Sequence, residues 1–361
     1  MSYANGTSIR FKDCTPEICP YEHSYYDYRI WLVPNVIFAA IFGVSLVAYI
    51  STYIRTRRSG VFTIAIVLGL VVEIDGYVGR ILSWNNQWSS TAFIMQVTSL
   101  TFAPAFLAAG IYVCLRKIVS AVGPENSRIR PELYTRIFIP CDIICLFTQS
   151  IGGTFSAIAA SKHKDTNVAD KVIIVGLALQ VVTLFAFIAV ATDFGIRTML
   201  RRQHLGSAAL DQNPAMVAVR GSWLFKGFIA ALTVSTIAIF IRCVFRLVEL
   251  SGGYHGPITA RQDLFVAFEG VMLSVAVLVL NVFHPSLCFG PALDADLHLA
   301  RKASINSDKN VLMGTSLGPD FYDAPPKLSS STSFDEGTRV GQNPYARYGG
   351  YRGADRMGRA V

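Results

Sequence analysis

The chain has 361 residues, of which 52% are hydrophobic and only 16% are charged, and its mean hydropathy is positive. A water-soluble domain of this size does not need such an apolar excess, so the composition excludes an ordinary soluble protein and indicates side chains that face lipid. The net charge of +8 does not indicate nucleic acid, because Lys and Arg fall in short segments between apolar runs rather than on one continuous face.

Residues 1–31 form a polar, partly acidic N-terminal tail, for which a cleaved signal peptide is not expected. Asn5 begins an Asn-Gly-Thr tripeptide and is a candidate for N-glycosylation. Cys14 and Cys19 are candidates for a local disulfide, since we place the tail outside the cell, with free thiols as the alternative. Four further cysteines are interpreted as small residues of the helix core: Cys114, Cys141, Cys145 and Cys243.

Seven apolar runs follow, each long enough to cross roughly 30 Å of hydrocarbon, which takes about 20 helical residues. We number these predicted spans 1 to 7 in chain order: 32–54, 61–82, 92–115, 136–159, 172–192, 223–245 and 264–283. The sequence therefore predicts an all-α integral membrane protein, with a bundle of seven transmembrane helices within residues 32–284.

The C-terminal region, residues 285–361, is rich in Ser, Gly, Asp and Arg. Such a segment cannot bury enough apolar surface to offset the entropy lost on ordering. We expect a disordered cytosolic tail that is a candidate for phosphorylation and for binding regulatory proteins.

Lys and Arg residues distinguish the two sides of the membrane. They collect in the loops after spans 1, 3 and 5, whereas the loop of residues 83–91 between spans 2 and 3 has none. Because basic loops remain in the cytosol, this asymmetry predicts an external N-terminus and a cytosolic C-terminus.

Span 2 contains ionisable residues inside the hydrocarbon region, where a charge costs roughly 3 kcal/mol at the bilayer centre and commonly marks a functional site. Glu73, Tyr77 and Arg80 share one helical face, while Asp75 points elsewhere. Glu73 lies near the midplane, too deep for its carboxylate to reach water easily. We therefore treat Glu73 as the first candidate for a functional residue.

Spans 4 and 5 carry further polar side chains. Asp142 and Gln149 lie two turns apart on one face of span 4, and Gln180 lies in the middle of span 5. Gly152 and Gly153 follow Gln149 and allow another helix or a ligand to approach the backbone. The polar residues of spans 2, 4, 5, 6 and 7 are the candidates for a substrate path: Glu73, Tyr77, Arg80, Asp142, Gln149, Gln180, Arg242, Arg246, Glu249 and Glu269.

Span 6 ends with Arg242, Arg246 and Glu249 on one face, and span 7 places Glu269 in its outer third. With the predicted orientation, these four residues and Arg80 form a polar girdle on the outer side. Arg246 and Glu249 can pair at a spacing of three residues. The structural alternative is that the arginines snorkel to the interface and that the ion pairs only fix packing.

Sequence motifs for several kinds of catalysis and cofactor binding are absent. The sequence has no phosphate-binding loop for ATP, no zinc-ligand spacing among its histidines, and no nucleophilic serine paired with an acid and a histidine. Span 7 has no lysine for a retinal Schiff base. We therefore expect no enzyme activity, no metal and no cofactor.

Six short motifs, each on a different span or at its end, occur in one order along residues 26–285. They are E-x-x-G-Y-x-x-R from Glu73, Pro104 with Ala108 and Tyr112, D-x6-Q-x-x-G-G from Asp142, G-L-x-x-Q from Gly176, R-x-x-F-R-x-x-E from Arg242 and N-V-F-H-P from Asn281. Together they resemble the fungal lipid-translocating exporter family, seven-helix proteins linked to aminocholesterol resistance and to export of sphingoid long-chain bases. The resemblance implies a plasma-membrane protein that moves amphipathic lipids and contributes to resistance to toxic lipophiles.

The outer mouth departs from the family pattern. Tyr26 and Tyr28 match the usual entry to span 1, but Ile30 stands in place of a proline. Before span 7, where the family tends to have Glu, Tyr and Asp, this chain has Gln262, Val266 and Glu269 in that order. The identity of the substrate is therefore left open by the resemblance.

A seven-span receptor for a lipid or other small molecule is the alternative function with the same topology. Receptor signatures are absent where they would be expected: the inner end of span 3 reads Val-Cys-Leu-Arg-Lys, and Asn281 of span 7 does not begin an N-P-x-x-Y motif. The exporter interpretation is accordingly favoured, with membrane lipids and an amphipathic lipid substrate as the expected partners.

Overall fold

The structure is a computed structural model that describes residues 24–26, 28–161, 167–206, 210, 212, 214–252, 259 and 261–289. The helices are α1 (Leu32–Thr56), α2 (Gly60–Asn85), α3 (Ser90–Val122), α4 (Pro131–Ser161), α5 (Asn167–Leu205), α6 (Pro214–Gly221), α7 (Trp223–Ser251), α8 (Gln262–Phe265), α9 (Met272–Val282) and α10 (Pro285–Cys288). A 3₁₀ turn (Pro124–Asn126) follows α3, and a π-helical turn (Val266–Val271) joins α8 to α9.

Within the described residues, seven helical segments are long and apolar enough to cross a membrane. Spans 1 to 5 are α1 to α5, span 6 is α7, and span 7 is the continuous segment Gln262–Cys288. The prediction of an all-α bundle of seven transmembrane helices is confirmed. The external position of the N-terminus stays a prediction.

The helices extend beyond the apolar runs from which they were predicted. α5, for example, continues to Leu205 through a polar segment that contains Arg197 and Arg201. Side-chain caps help to fix two helix starts. Ser89, the residue before α3, accepts a hydrogen bond from the Ala92 N–H, and Ser222, the residue before α7, accepts one from the Leu224 N–H. Hydropathy predicts only the part of a helix that lies in hydrocarbon, so these polar ends were not predicted.

The spans form a closed ring in which each packs against its neighbours in sequence and span 1 packs against span 7. Span 3 is the most buried of the seven and also contacts span 6 across the bundle. Close approach occurs between α4 and α5, since a Cβ atom added at Gly152 would lie 2.8 Å from the backbone nitrogen of Ile173. Gly153, in contrast, faces open space.

The outward faces of the spans expose large apolar side chains, including Val44 and Val47 on span 1, Phe147 and Phe155 on span 4, and Phe185 on span 5. An apolar surface of this extent is stable in lipid and not in water. The chain is therefore an integral, multi-pass membrane protein.

The end of span 7 is fixed against the turn between spans 1 and 2. His284 caps α10 by accepting a hydrogen bond from the Ser286 N–H at 3.1 Å, and the Ser286 hydroxyl donates to the carbonyl oxygen of Arg58 at 3.0 Å. Lys117 of span 3 donates to the Ser59 hydroxyl in the same turn at 2.8 Å. The described, buried part of the chain thus continues past residue 285, where the predicted tail begins.

Several predictions concern residues outside the described ones. These are the glycosylation of Asn5, the disulfide between Cys14 and Cys19, and the character of the tail from residue 290 onward. The five described cysteines, which are Cys114, Cys141, Cys145, Cys243 and Cys288, all carry free thiols.

Candidate functional site

An ion pair between spans 6 and 7 lies at the centre of the candidate site. Arg242 Nη2 donates to Glu269 Oε1 at 2.5 Å, and both side chains are almost fully buried. The same guanidinium nitrogen donates to the carbonyl oxygen of Leu100 in span 3. Glu269 belongs to the π-helical turn, a local widening of the helix that is frequent at functional sites. One arginine therefore ties together spans 3, 6 and 7.

Glu73 of span 2 lies beside this ion pair and is completely buried. It interacts electrostatically with Glu269, Arg242 and Arg246. No described residue donates a hydrogen bond to either of its carboxylate oxygens. Among the described residues, Glu73 is thus a fully buried carboxyl group without a direct partner, the arrangement that is most costly for an ionised acid.

Tyr77 lies one turn after Glu73 on the same face of span 2. Its ring packs against Phe38 and Phe42 of span 1, with centroid separations of 5.6 Å in both cases. The hydroxyl group is buried and has no hydrogen-bond partner among the described residues. Tyr77 therefore places a second unpartnered polar atom on the face that carries Glu73.

Arg246 and Glu249 form a second buried ion pair, with an Nη1 to Oε2 distance of 2.7 Å, at the end of span 6. We use the name "charged cluster" for the set Glu73, Tyr77, Arg80, Arg242, Arg246, Glu249 and Glu269. Two of its three carboxylates have an arginine partner at hydrogen-bond distance, and Glu73 has none. The residues of the predicted polar girdle are thus packed within the bundle and not exposed on its surface, since each of them is at most 4% exposed.

Arg80 is the third arginine of the charged cluster, and its partners are aromatic. Its guanidinium carbon lies 3.7 Å from the centroid of the Phe265 ring, a close cation–π contact. Its Nη2 donates to the hydroxyl of Tyr28 at 3.0 Å. The structure therefore directs Arg80 towards the N-terminal segment and span 7, whereas Glu73 interacts electrostatically with Arg242 and Glu269.

The N-terminal segment before span 1 is packed over this end of the bundle. We call its described residues, 24–26 and 28–31, the strap. The Tyr26 hydroxyl donates to Gln96 Oε1 at 2.7 Å and lies 2.9 Å from Ser83 Oγ. Burial raises the pKa of Tyr26 to about 12, so this hydroxyl keeps its proton and remains a donor at neutral pH.

Gln262, at the start of span 7, fixes the other end of the strap. Its side-chain oxygen accepts a hydrogen bond from the Trp31 N–H at 2.9 Å, and its amide nitrogen donates to the Arg29 carbonyl at 2.8 Å. Gln262 was noted in the sequence only as a departure from the family pattern. In the structure it joins the N-terminal segment to span 7.

The remaining candidates form contacts of their own. The Tyr112 hydroxyl of span 3 donates to Asp142 Oδ2 at 2.9 Å, and Gln149 Nε2 donates to Gln180 Oε1 between spans 4 and 5 at 3.0 Å. Asp142 Oδ1 is buried without a described partner. These residues provide polar atoms in the bundle, but they are not brought into direct contact with Glu73.

Sequence reasoning missed the residues that join the charged cluster to the rest of the bundle. Phe265 and the Leu100 carbonyl contact Arg80 and Arg242, and Gln96 contacts the strap. An aromatic ring or a backbone carbonyl carries no charge that would mark it in an apolar run. Only Tyr26 and Tyr28 had a signal in the sequence, through the family pattern at the entry to span 1.

These features define the class of the protein: a multi-pass membrane protein of seven spans with a buried charged cluster between spans 2, 6 and 7. The chain belongs to the family described as RTA1-like protein, which matches residues 66–292. The resemblance drawn from the six motifs is thereby confirmed.

The chain is similar to three relatives from Saccharomyces cerevisiae (strain ATCC 204508 / S288c). The chain is 29% identical over 282 residues to the sphingoid long-chain base transporter RSB1, an alignment that covers 72% of this chain and 73% of the relative. It is 26% identical to protoporphyrin uptake protein 1, covering 59% and 65%, and 27% identical to protein RTA1, covering 62% and 65%. No solved structure matches the chain.

Proposed function

We propose that this protein transports cationic amphipathic lipids, with sphingoid long-chain bases as the substrate class, out of the plasma membrane. The observation that carries the proposal is Glu73, a completely buried carboxyl group with no hydrogen-bond donor among the described residues. A lipid ammonium group supplies both the positive charge and the N–H donors that Glu73 lacks.

Family membership alone does not fix the substrate, since the relatives are named for a sphingoid long-chain base and for protoporphyrin. The charged cluster supports a cation. Arg242 and Arg246 are already paired with Glu269 and Glu249 at 2.5 Å and 2.7 Å. The third arginine, Arg80, is directed to Phe265 and Tyr28 and not to Glu73. The carboxyl group that is left without a direct partner is negative when ionised, so an ammonium head group is the complementary ligand.

In this proposal the hydrocarbon chain of the substrate stays in lipid beside the exposed apolar faces of the spans, while the head group passes the polar atoms inside the bundle. Two of the relatives are named for transport or uptake, which supports transport rather than catalysis or receptor signalling. Removal of long-chain bases from the membrane is the route by which the protein contributes to resistance against toxic lipophiles.

The test replaces Glu73 and a matched acidic residue of the same helix. Glu73→Gln keeps the size of the side chain and removes its charge, whereas Asp75 accepts a hydrogen bond from Ser99 at 2.6 Å and lies outside the charged cluster. We expect Glu73→Gln to lower efflux of a labelled long-chain base by about thirtyfold or more, because loss of a buried charge contact costs about 2 kcal/mol or more. Asp75→Asn should retain efflux.

Efflux is measured from cells that express each variant, together with growth in the presence of the base and the amount of protein at the cell surface. Full efflux from Glu73→Gln at normal surface level would show that Glu73 has only a structural role. Equal loss of efflux in Asp75→Asn would show that any change in span 2 disturbs the protein, and the assignment of the head-group site to Glu73 would be withdrawn.

A further inference from the structure

We propose that Glu73 exchanges one proton for one lipid ammonium group, so that the protein couples lipid export to the proton gradient without net movement of charge. This inference rests on the proposed function and adds its source of energy. The charged cluster holds three carboxylates, of which only Glu249 and Glu269 have an arginine at hydrogen-bond distance.

The titratable and charged groups that act on Glu73 come from three spans. Tyr77 lies on its own helix, Arg242 and Arg246 belong to span 6, and Glu269 belongs to span 7. Both arginines already hold a carboxylate at 2.7 Å or less. Arg80, the third arginine of the charged cluster, lies against Phe265 and donates to Tyr28, so no arginine is at hydrogen-bond distance from Glu73 when all three acids are ionised.

An ionised carboxylate that is completely buried without a hydrogen-bond donor is strongly unfavourable, because it loses its hydration and gains no partner. Glu73 therefore needs a proton whenever no lipid cation is present. Both ligands bind the same two oxygens, so a proton and an ammonium group exclude each other at this site.

The arrangement of acceptors fits a primary ammonium group. Its three N–H groups require three acceptors in a buried site. The charged cluster offers buried oxygens without a described partner at Glu73 Oε1 and Oε2, at Glu269 Oε2 and at the Tyr77 hydroxyl. A quaternary ammonium group, which has no N–H donor, would leave these oxygens without hydrogen bonds.

The exchange step balances in atoms and charge. The O–H bond of the neutral Glu73 carboxyl group breaks, the proton leaves to water, and the resulting carboxylate accepts N–H hydrogen bonds from the ammonium group. The net charge of the site is the same before and after the step, because one positive charge replaces another. Release of the lipid reverses the step, so one proton returns for each base that leaves.

Proton release on binding tests this exchange directly. The full chain in detergent is titrated with the C18 base sphinganine by calorimetry, in buffers that differ in their enthalpy of ionisation, at pH 6 and pH 7. An amine of this kind is protonated at both values, since the pKa of an alkylammonium group is about 10. Any proton released therefore comes from the protein.

We expect the wild-type protein to release about one proton per base bound at pH 6. Because the proton competes with the base, raising the pH removes the competitor, and the affinity should increase by up to about tenfold per pH unit. Glu73→Gln should bind more weakly, release no proton and lose this pH dependence. Asp75→Asn should release as many protons as the wild type.

The outcomes separate this inference from the proposed function. Binding by the wild type without proton release and with equal affinity at both pH values would overturn the exchange and leave lipid transport standing. Absence of sphinganine binding would overturn the proposed function itself. Proton release that persists in Glu73→Gln would show that another group holds the proton. If Glu73→Gln does not fold, the number of protons that the wild type releases per base bound still tests the exchange.

Discussion

Arg246 and Glu249 show what a buried ion pair contributes at the level of single residues. The pair is almost fully buried, with a contact of 2.7 Å. Removal of one partner leaves the other charge uncompensated in a medium of low dielectric, at a cost of about 3–5 kcal/mol. Arg246→Ala should therefore lower the amount of protein in the membrane, and exchange of the two charges (Arg246→Glu with Glu249→Arg) should restore part of it.

Arg261 and Asp263 provide a matched control for this prediction, because their ion pair has a similar distance of 2.6 Å but is more than half exposed. An exposed ion pair contributes little to stability because water screens the charges, so Arg261→Ala should leave abundance unchanged. Abundance is measured by quantitative blotting of membranes. Normal abundance of Arg246→Ala combined with loss of efflux would contradict a structural role and make Arg246 a substrate contact.

The sequence indicated which residues of the candidate site share a helical face, but it did not indicate their partners in other spans. The 3.6-residue period alone places Glu73, Tyr77 and Arg80 together, and the structure buries all three. The contact between Arg242 and Glu269 joins residues 27 positions apart, and that between Tyr112 and Asp142 joins residues 30 apart. Such pairs depend on how helices pack, which a single sequence does not encode in any local pattern.

At the level of the helices, the contact between spans 2 and 3 depends on a residue without a side chain. A Cβ atom at Gly79 would lie 2.9 Å from the backbone nitrogen of Gln96 and 3.1 Å from the carbonyl oxygen of Ala92. Because both atoms belong to the backbone, the helices would have to separate. Gly79→Ala should lower stability by about 1–3 kcal/mol, the usual cost of overpacking.

Gly43 in span 1 is the matched control, since no atom lies within 4 Å of a Cβ added there. Gly43→Ala should leave the unfolding temperature unchanged or raise it slightly, because alanine is the better helix former. Thermal unfolding of the purified proteins in detergent compares the two variants. Equal unfolding temperatures for Gly79→Ala and the wild type would refute the close contact between spans 2 and 3.

The spans themselves were predictable because twenty apolar residues in succession have few alternatives to a transmembrane helix. The short helix Pro214–Gly221 and the π-helical turn at Val266–Val271 were not predicted. The first lies in the connection between spans 5 and 6 and is not one of the seven apolar spans. The second interrupts an apolar run whose hydropathy is the same for α and π geometry, so the composition carries no signal for it.

For the whole molecule, the lysine and arginine distribution predicts that the N-terminus is outside and the C-terminus is in the cytosol. Protease added to intact cells should remove an N-terminal tag and spare a C-terminal one, whereas permeabilised cells should lose both. Immunoblotting of the two tags gives the answer. Digestion of the C-terminal tag on sealed cells would reverse the orientation, and with it the side on which the strap lies.

The ion pair between Arg242 and Glu269 also has a consequence for biogenesis. The ribosome delivers span 6 to the translocon before span 7, and span 6 then presents Arg242 to the lipid without its partner in span 7. A charge costs about 2.5–3.5 kcal/mol at the centre of a helix and less towards its end, where Arg242 lies. Glu269, whose carboxylate neutralises Arg242, lies 27 residues further along the chain and is synthesised later. We therefore expect spans 6 and 7 to remain together at the translocon and to enter the bilayer as a hairpin. Packing of this hairpin against the first five spans is then the last step in forming the bundle.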